Sequence, residues 1–104
     1  MTINEYQAAC MRTCGKPDII NGILGLCGEA GECADMVKKS VYQGHTLNTN
    51  DLIHELGDVA WYLAVTAQSI GCNLETVLLM NVEKLKKRYP DGFDAHKSIN
   101  REEE

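Results

Sequence analysis

Apolar residues recur at three- and four-residue steps along most of this chain, and this spacing is the feature that most constrains its fold. In the longest run it joins Ile19, Ile23, Leu26, Ala30, Cys33 and Val37. No stretch shows the sustained alternation of apolar and polar residues that is typical of a half-buried strand. The sequence therefore predicts an all-α protein.

Capping and helix-breaking residues divide this pattern into four predicted helices, of which the second and third are long. The first helix opens with Ile3, Tyr6 and Cys10. The predicted boundaries are Gly15 and Pro17 after the first helix, Asp18 and about Tyr42 for the second, Asn50 or Asp51 and Gly71 for the third, and Asn73 and Pro90 for the fourth.

Both long helices are apolar on more than one face, which is more than one short chain can cover. We therefore expect a four-helix bundle that is completed by a second copy, a homo-oligomer. The fourth helix is expected to turn Leu74, Val77, Leu78, Val82 and Leu85 inward. We expect one domain over residues 1–95 and a polar C-terminal tail over residues 96–104, which ends in Glu102–Glu104.

The composition indicates an ordinary globular chain. With 104 residues, 44% of them apolar, it can build one core. A net charge of −5 argues against bulk binding to nucleic acid or to an anionic membrane. There is no membrane-length apolar run and no signal-peptide pattern. The five cysteines are an odd number, so we expect reduced thiols that are mostly small core residues, in a cytoplasmic protein.

Two pairs of acidic residues have helical spacing. Glu29 and Glu32 lie three residues apart, as do Glu55 and Asp58 in the third helix, so the members of each pair point the same way. If the two long helices pack antiparallel, four carboxylates converge, and their repulsion requires protons or cations. Carboxylate oxygens favour Mg²⁺, with Mn²⁺ as a substitute. The alternative is that these acids form a solvated face.

Glycines accompany both acidic pairs. Gly28 and Gly31 lie beside the first pair and Gly57 lies within the second. Each disfavours a helix interior by about 1 kcal/mol relative to alanine. Close packing of helices and shaping of the site are the two interpretations, and they are compatible.

A magnesium site commonly shares its ion with substrate phosphates, which also need positive charge nearby. In the fourth helix Asn81, Lys84 and Arg88 form one polar stripe, and Lys38 and Lys39 follow Glu32 by two turns. On spacing alone, the preferred interpretation of the basic residues is a solvated face near a helix C-terminus.

These residues resemble a known family. E-x-x-E, 22 residues, then E-x-x-D, together with "GLCGEAGE", "ELGDVAWYLA" and "NVEKLKKRYPDGF", is similar to the MazG-like nucleoside triphosphate pyrophosphohydrolases. The resemblance extends over nearly the whole chain. It implies Mg²⁺-dependent cleavage of (deoxy)nucleoside triphosphates between the α- and β-phosphates, as nucleotide-pool house-cleaning, in a homodimer or a homotetramer built as a dimer of dimers.

The resemblance also implies roles for single residues. Glu29, Glu32, Glu55 and Asp58 would hold the metal and act in catalysis, with one of them, such as Glu32, serving as general base. The residues that would bind phosphate or nucleotide are Gln7, Lys39, Tyr62, Asn81, Lys84 and Arg88. Trp61 could stack on a base, although a core or interface position is the preferred interpretation.

Two other functions are compatible with parts of this pattern. A carboxylate-bridged di-iron bundle would need Glu-x-x-His motifs, and the sequence has none, because His54 directly precedes Glu55. A non-catalytic metal- or nucleotide-binding oligomeric module would keep the acids without turnover.

Overall fold

The computed structural model describes residues 1–101, and within this range the chain is all-α. Its helices are α1 (Ile3–Cys14), α2 (Ile19–Tyr42), α3 (Thr49–Ser69), α4 (Leu74–Arg88) and α5 (Ala95–Ile99). The all-α prediction is confirmed, with five helices in place of four. The additional helix is short and falls where a tail without structure was expected. Asp94 caps it by accepting from the N–H groups of His96 and Lys97.

Side-chain caps fix where the first three helices begin. Thr2 and Glu5 form a reciprocal capping box at α1. Asp18 caps α2 as predicted, accepting from the N–H groups of Ile20 and Asn21. For α3 the predicted cap was wrong by two or three residues. Asn48 is the cap, because its side-chain oxygen reaches the N–H of Asp51 at 3.1 Å.

The contacts of the chain group into two compact units, Met1–Leu74 and the part from Glu75 onward. In the first unit, α1 and α2 both pack against α3. The core is small: Cys10, Ala64, Val65, Ala67 and Leu74 are buried. Trp61 packs against this core, and its indole N–H donates to Thr13 Oγ1 at 3.2 Å. A structural position for Trp61 agrees with the preferred interpretation of its sequence context.

Gln7 ties three segments of the first unit together. Its side chain is only 4% exposed. The amide oxygen accepts from the N–H of Leu74, the first residue of α4, at 2.7 Å. The amide nitrogen donates to Gln68 Oε1 at 2.9 Å and to the carbonyl of Cys72 at 3.1 Å. Gln7 thus satisfies backbone groups at the end of α3 and the start of α4 that a buried position would otherwise leave unpaired.

The glycines that allow close helix packing are not the ones that the sequence indicated. A Cβ added to Gly28, Gly31 or Gly57 would meet no atom within 4 Å. By contrast, a Cβ on Gly22 would strike the Thr66 side chain, and one on Gly25 would strike the Tyr62 ring. Close helix packing was one of the two interpretations of Gly28, Gly31 and Gly57, and within this chain the structure does not bear it out. The position of a glycine in the sequence shows where it lies on its own helix. Which glycines contact the neighbouring helix depends on how the two helices are rotated against each other, and the sequence spacing does not fix that rotation.

The second unit contains most of α4, the turn after it and α5. The ring centroids of Tyr89 and Phe93 lie 5.4 Å apart across that turn, where Gly92 has a φ of 94°. Of the five apolar residues predicted to face inward on α4, Leu74 is buried, while the other four are 40–45% exposed. The amphipathic pattern is present, but this chain covers little of that face.

The cysteines are free thiols, as expected. Cys10 is buried, Cys14, Cys33 and Cys72 are half-buried, and Cys27 is exposed, so a core position was wrong for Cys27. Among residues 1–101, no single helix combines the length and apolar character needed to cross a membrane.

Candidate metal centre

Three of the four predicted acids meet between α2 and α3. Glu29 comes from α2, while Glu55 and Asp58 come from α3, and each offers a carboxylate oxygen within 4.8 Å of the others. Glu29 and Glu55 are half-buried and Asp58 is exposed. The contacts of Gly22 with Thr66 and of Gly25 with Tyr62 run in opposite chain directions, so the two helices are antiparallel. That arrangement brings together acids that are 26 and 29 residues apart.

The crowding of carboxylates in this cluster affects the pKa of Glu29. A hydrogen bond that the protonated Glu29 carboxyl donates to the neighbouring Glu55 carboxylate raises the pKa of Glu29 above its ordinary value. Partial burial raises it further, as do the negative charges of Asp58, Glu55 and Glu32. The surroundings of Glu29 therefore favour its protonated form more than water does. A cation bound among these carboxylates would offset the same negative charges.

Glu32 does not lie within this group of three. Its side chain is exposed on α2, although its charge still acts on Glu29. The same charge, after the closer effect of Asp35, helps to raise the pKa of Lys39. The fourth predicted acid is therefore a neighbour of the cluster in this structure.

Lys39 is engaged with its own helix. Its Nζ lies 2.8 Å from Asp35 Oδ2, and Lys38 Nζ lies 3.5 Å from Asp35 Oδ1. The hydrogen bond from Lys39 lowers the pKa of Asp35. Asp35 did not stand out in the sequence, although its i,i+4 spacing to Lys39 is the signal of such a pair. A phosphate bound by Lys39 would have to compete with this surface ion pair.

Tyr62 and Gln7 take part in helix packing. The Tyr62 ring lies over the backbone of Gly25, one turn from Asp58, and meets Trp61 edge-on with ring centroids 4.9 Å apart. Gln7 uses its amide in the three hydrogen bonds within the first unit. Their predicted contacts with nucleotide stay predictions.

The predicted phosphate-binding stripe lies on α4, in the second unit. Asn81 and Lys84 are exposed and Arg88 is half-buried. The order of these residues along the helix agrees with the predicted stripe. Their binding of phosphate stays a prediction.

Tyr6 is a residue near the acids that sequence analysis had placed only in the apolar pattern of α1. Burial raises the pKa of its phenol to about 12, with a hydrogen bond to Cys10 and electrostatic interactions with Cys10 and Asp58 adding to the effect. Only the packing of α1 on α3 brings this phenol into the field of Asp58.

These features define a class of protein: a helical chain in which two antiparallel helices bring carboxylates together in a cluster able to hold a divalent cation. The family follows from comparison with known sequences. Residues 20–93 match the MazG nucleotide pyrophosphohydrolase domain, and the chain belongs to this family. The matched segment includes all three clustered acids and Glu32, so the family resemblance inferred from the acidic pairs is confirmed.

A bacteriophage protein is similar to this chain over nearly the full length of both. The chain is 37% identical over 114 aligned positions to the Gene 37 protein of Mycobacterium phage L5, and the match covers 97% of this chain and 100% of that protein. That name states no activity. No solved structure shows a significant match.

Proposed function

We propose that this protein is a Mg²⁺-dependent pyrophosphohydrolase of (deoxy)nucleoside triphosphates, which releases a nucleoside monophosphate and pyrophosphate. The observation that carries the proposal is the convergence of Glu29, Glu55 and Asp58 in a chain of the MazG family. The biological role that fits this reaction is house-cleaning of the nucleotide pool in the cytoplasm.

The donor atoms at this position fit a hard divalent cation. All three groups are carboxylates, without a cysteine or histidine among them, and this set favours Mg²⁺ or Mn²⁺ over Zn²⁺. After the hydrogen bond to Glu55 and partial burial, the charges of Asp58, Glu55 and Glu32 help to raise the pKa of Glu29, and a cation would offset those charges. Glu29, Glu55 and Asp58 would hold the ion. The charge of Glu32 acts on Glu29, so Glu32 would add to the negative potential at the ion.

The reaction adds water across one phosphoanhydride bond. A bound Mg²⁺ would supply Lewis acidity at the phosphate oxygens and make water more acidic. The water oxygen joins one phosphorus, the bridging P–O bond between the α- and β-phosphates breaks, and the two products share the protons of water. A carboxylate of the cluster, or Glu32 beside it, takes up the proton that water loses.

Positive and amide groups are proposed to bind the triphosphate. The candidates remain Lys39, Asn81, Lys84 and Arg88, with Tyr62 and Gln7 as candidates near the base or sugar. For Lys39 the proposal requires exchange of the Asp35 ion pair for a phosphate oxygen. Because exposed ion pairs contribute only about 0–1 kcal/mol, that exchange is energetically accessible.

The assembly is proposed to be a homodimer, or a homotetramer built from two dimers. In support, α2 exposes Ile20 and Leu24 at 69% and 67%, four residues apart on one side. On α3, Ile53 and Leu56 are also exposed. Apolar side chains repeated along long helices are typical of surfaces that a protein partner covers.

The test is phosphorus NMR of separate incubations with a panel of canonical and modified (d)NTPs, each with Mg²⁺ and with EDTA. Monophosphate and pyrophosphate that appear only with metal are the expected result, and the relative rates rank the bases. Nucleoside diphosphate and orthophosphate would contradict the position of cleavage. Absence of cleavage across the panel would favour a non-catalytic metal- or nucleotide-binding module.

A further inference from the structure

Two helix contacts form successive layers on one side of the acid cluster. Gly25 lies about one turn before Glu29 on α2, and Tyr62 lies one turn after Asp58 on α3. Because the helices are antiparallel, the contact between Gly25 and Tyr62 forms the layer next to the carboxylates. The contact between Gly22 and Thr66 forms the following layer, about one further turn away.

Neither contact leaves room for a side chain on α2. A Cβ at Gly25 would come within 2.5 Å of Tyr62 Cδ1 and closer still to two other ring carbons. A Cβ at Gly22 would lie 3.3 Å from the Cα of Thr66 and would strike its hydroxyl. Glycine at these two positions therefore leaves the space that the Tyr62 ring and the Thr66 side chain occupy between α2 and α3.

On one side, the Tyr62 ring is flanked by an aromatic neighbour that opposes its movement away from such a clash. Its neighbour Trp61 meets it edge-on, with an angle of 87° between the ring planes. The indole of Trp61 packs against the core and donates to Thr13 on α1. A methyl group on Gly25 would therefore displace either the Tyr62 ring or the backbones of α2 and α3, and the carboxylates are one turn away.

We propose that Gly25 and Tyr62 are positioning residues, which set the separation of α2 and α3 so that Glu29 reaches Glu55 and Asp58. Tyr62 then acts on the reaction through the geometry of the cluster, independently of any contact with the nucleotide. Gly22 and Thr66 extend the same spacing away from the cluster. The link to metal binding rests on the proposed function, whereas the link to the geometry does not.

The experiment compares Gly25→Ala, Gly25→Ala/Tyr62→Ala and Gly28→Ala. The last is a matched control, because it adds the same methyl group to the same helix in open space. Side-chain NOEs between Glu29 and Glu55 in metal-free protein report the geometry, and Mn²⁺ titration reports binding. Hydrolysis is not used as a readout, because Tyr62 is also a candidate nucleotide contact.

We expect Gly25→Ala to lose these NOEs and to weaken Mn²⁺ binding by about 10- to 100-fold, as for other changes to the support of metal ligands. The double variant restores the NOEs, since the added methyl then occupies space vacated by the ring. Gly28→Ala keeps both properties. If Gly25→Ala does not fold, folding of the double variant supports the same clash.

A folded Gly25→Ala protein that retains the Glu29–Glu55 NOEs would overturn the inference. So would a double variant that behaves like the single one. Wild-type protein that shows the NOEs but binds no Mn²⁺ would instead contradict the proposed function, and the positioning role would still be decided by the NOEs.

Discussion

At the scale of single residues, the chemistry depends on how many negative charges one place can hold. Glu29, Glu55 and Asp58 have carboxylate oxygens within 4.8 Å of one another, and a hydrogen bond from the protonated Glu29 carboxyl to Glu55 raises the pKa of Glu29. A proton and a divalent cation are alternative ways to relieve this crowding. Metal binding, protonation and stability should therefore change together.

Replacement of Asp58 by asparagine is expected to remove hydrolysis while leaving the helices intact. The change keeps the size of an exposed side chain but removes one charge from the proposed metal site, so we expect a loss of at least about 100-fold in kcat/KM. Pyrophosphate release measures the activity and circular dichroism measures the helix content. The control is Asp51→Asn, the same change at the start of α3, where the side chain lies outside the cluster. Near-normal turnover by Asp58→Asn would exclude the proposed site.

Glu29 is expected to make the stability of the metal-free protein depend on pH. Its pKa is raised in the folded state, so the unfolded chain loses this proton at a lower pH than the folded chain does. The free energy of unfolding should therefore fall as pH rises from the ordinary glutamate pKa through the raised one. Glu29→Gln should lack this decrease and be the more stable protein at neutral pH.

Urea unfolding in EDTA between pH 4 and pH 8 measures that difference. Glu83→Gln, at an exposed position of α4, controls for the loss of one negative charge elsewhere. The same pH dependence in wild type and Glu29→Gln would show that the protonation of Glu29 has no effect on folding.

At the scale of the helices, Gln7 shows how a polar side chain can join elements that a small core only weakly holds. Its three hydrogen bonds connect α1 to the end of α3 and to the first N–H of α4. The residues around it are small, with Cys10, Ala64 and Ala67 all buried. The geometry of this junction therefore depends on hydrogen bonding as well as on apolar packing.

Gln7→Leu is expected to destabilise the protein by about 2–3 kcal/mol. The change leaves the N–H of Leu74 without its acceptor in a buried place, and an unsatisfied buried group costs about 1–3 kcal/mol. Chemical denaturation of the metal-free protein measures the effect. Gln43→Leu, at the exposed end of α2, should change the free energy of unfolding by less than about 0.5 kcal/mol. Equal effects of the two changes would argue against a structural role of the Gln7 amide.

At the scale of the whole molecule, the isolated chain leaves several large apolar side chains exposed to solvent. Ile20, Leu24 and Val41 on α2 and Ile53 on α3 each have at least 64% of their surface exposed. A chain with few fully buried residues gains stability if these side chains are covered. A second copy would cover them, in agreement with the proposed homo-oligomer.

Leu24→Glu is expected to shift the protein from oligomer to monomer. A charged carboxylate in a covered apolar surface would lose hydration without a partner, which strongly opposes association. Sedimentation velocity at micromolar concentration measures the change in mass. Asn21→Glu adds the same group at a neighbouring polar position and should leave the oligomer intact. A wild-type protein that sediments as a monomer would contradict the proposed assembly.

Local sequence determined the helices and the acids of the candidate site. The limits of α2 and the cap at Asp18 were predictable because helix hydrogen bonds and caps join near neighbours. The three-residue spacing of Glu55 and Asp58 was likewise enough to place both on one side of α3. The MazG resemblance, confirmed by the match over residues 20–93, rests on the same acidic pattern.

Tertiary structure decided which of these residues meet. From their spacing alone, Glu29 and Glu32 were predicted to join the cluster equally. The rotation of α2 against α3 instead brings Glu29 into the group of three and leaves Glu32 beside it. The same rotation puts Gly22 and Gly25 in the helix contact and leaves Gly28, Gly31 and Gly57 in open space. It is set by many weak contacts between residues far apart in the chain, such as Tyr62 on Gly25. No pattern within one helix contains that information, because periodicity fixes which residues share a face but not what that face meets.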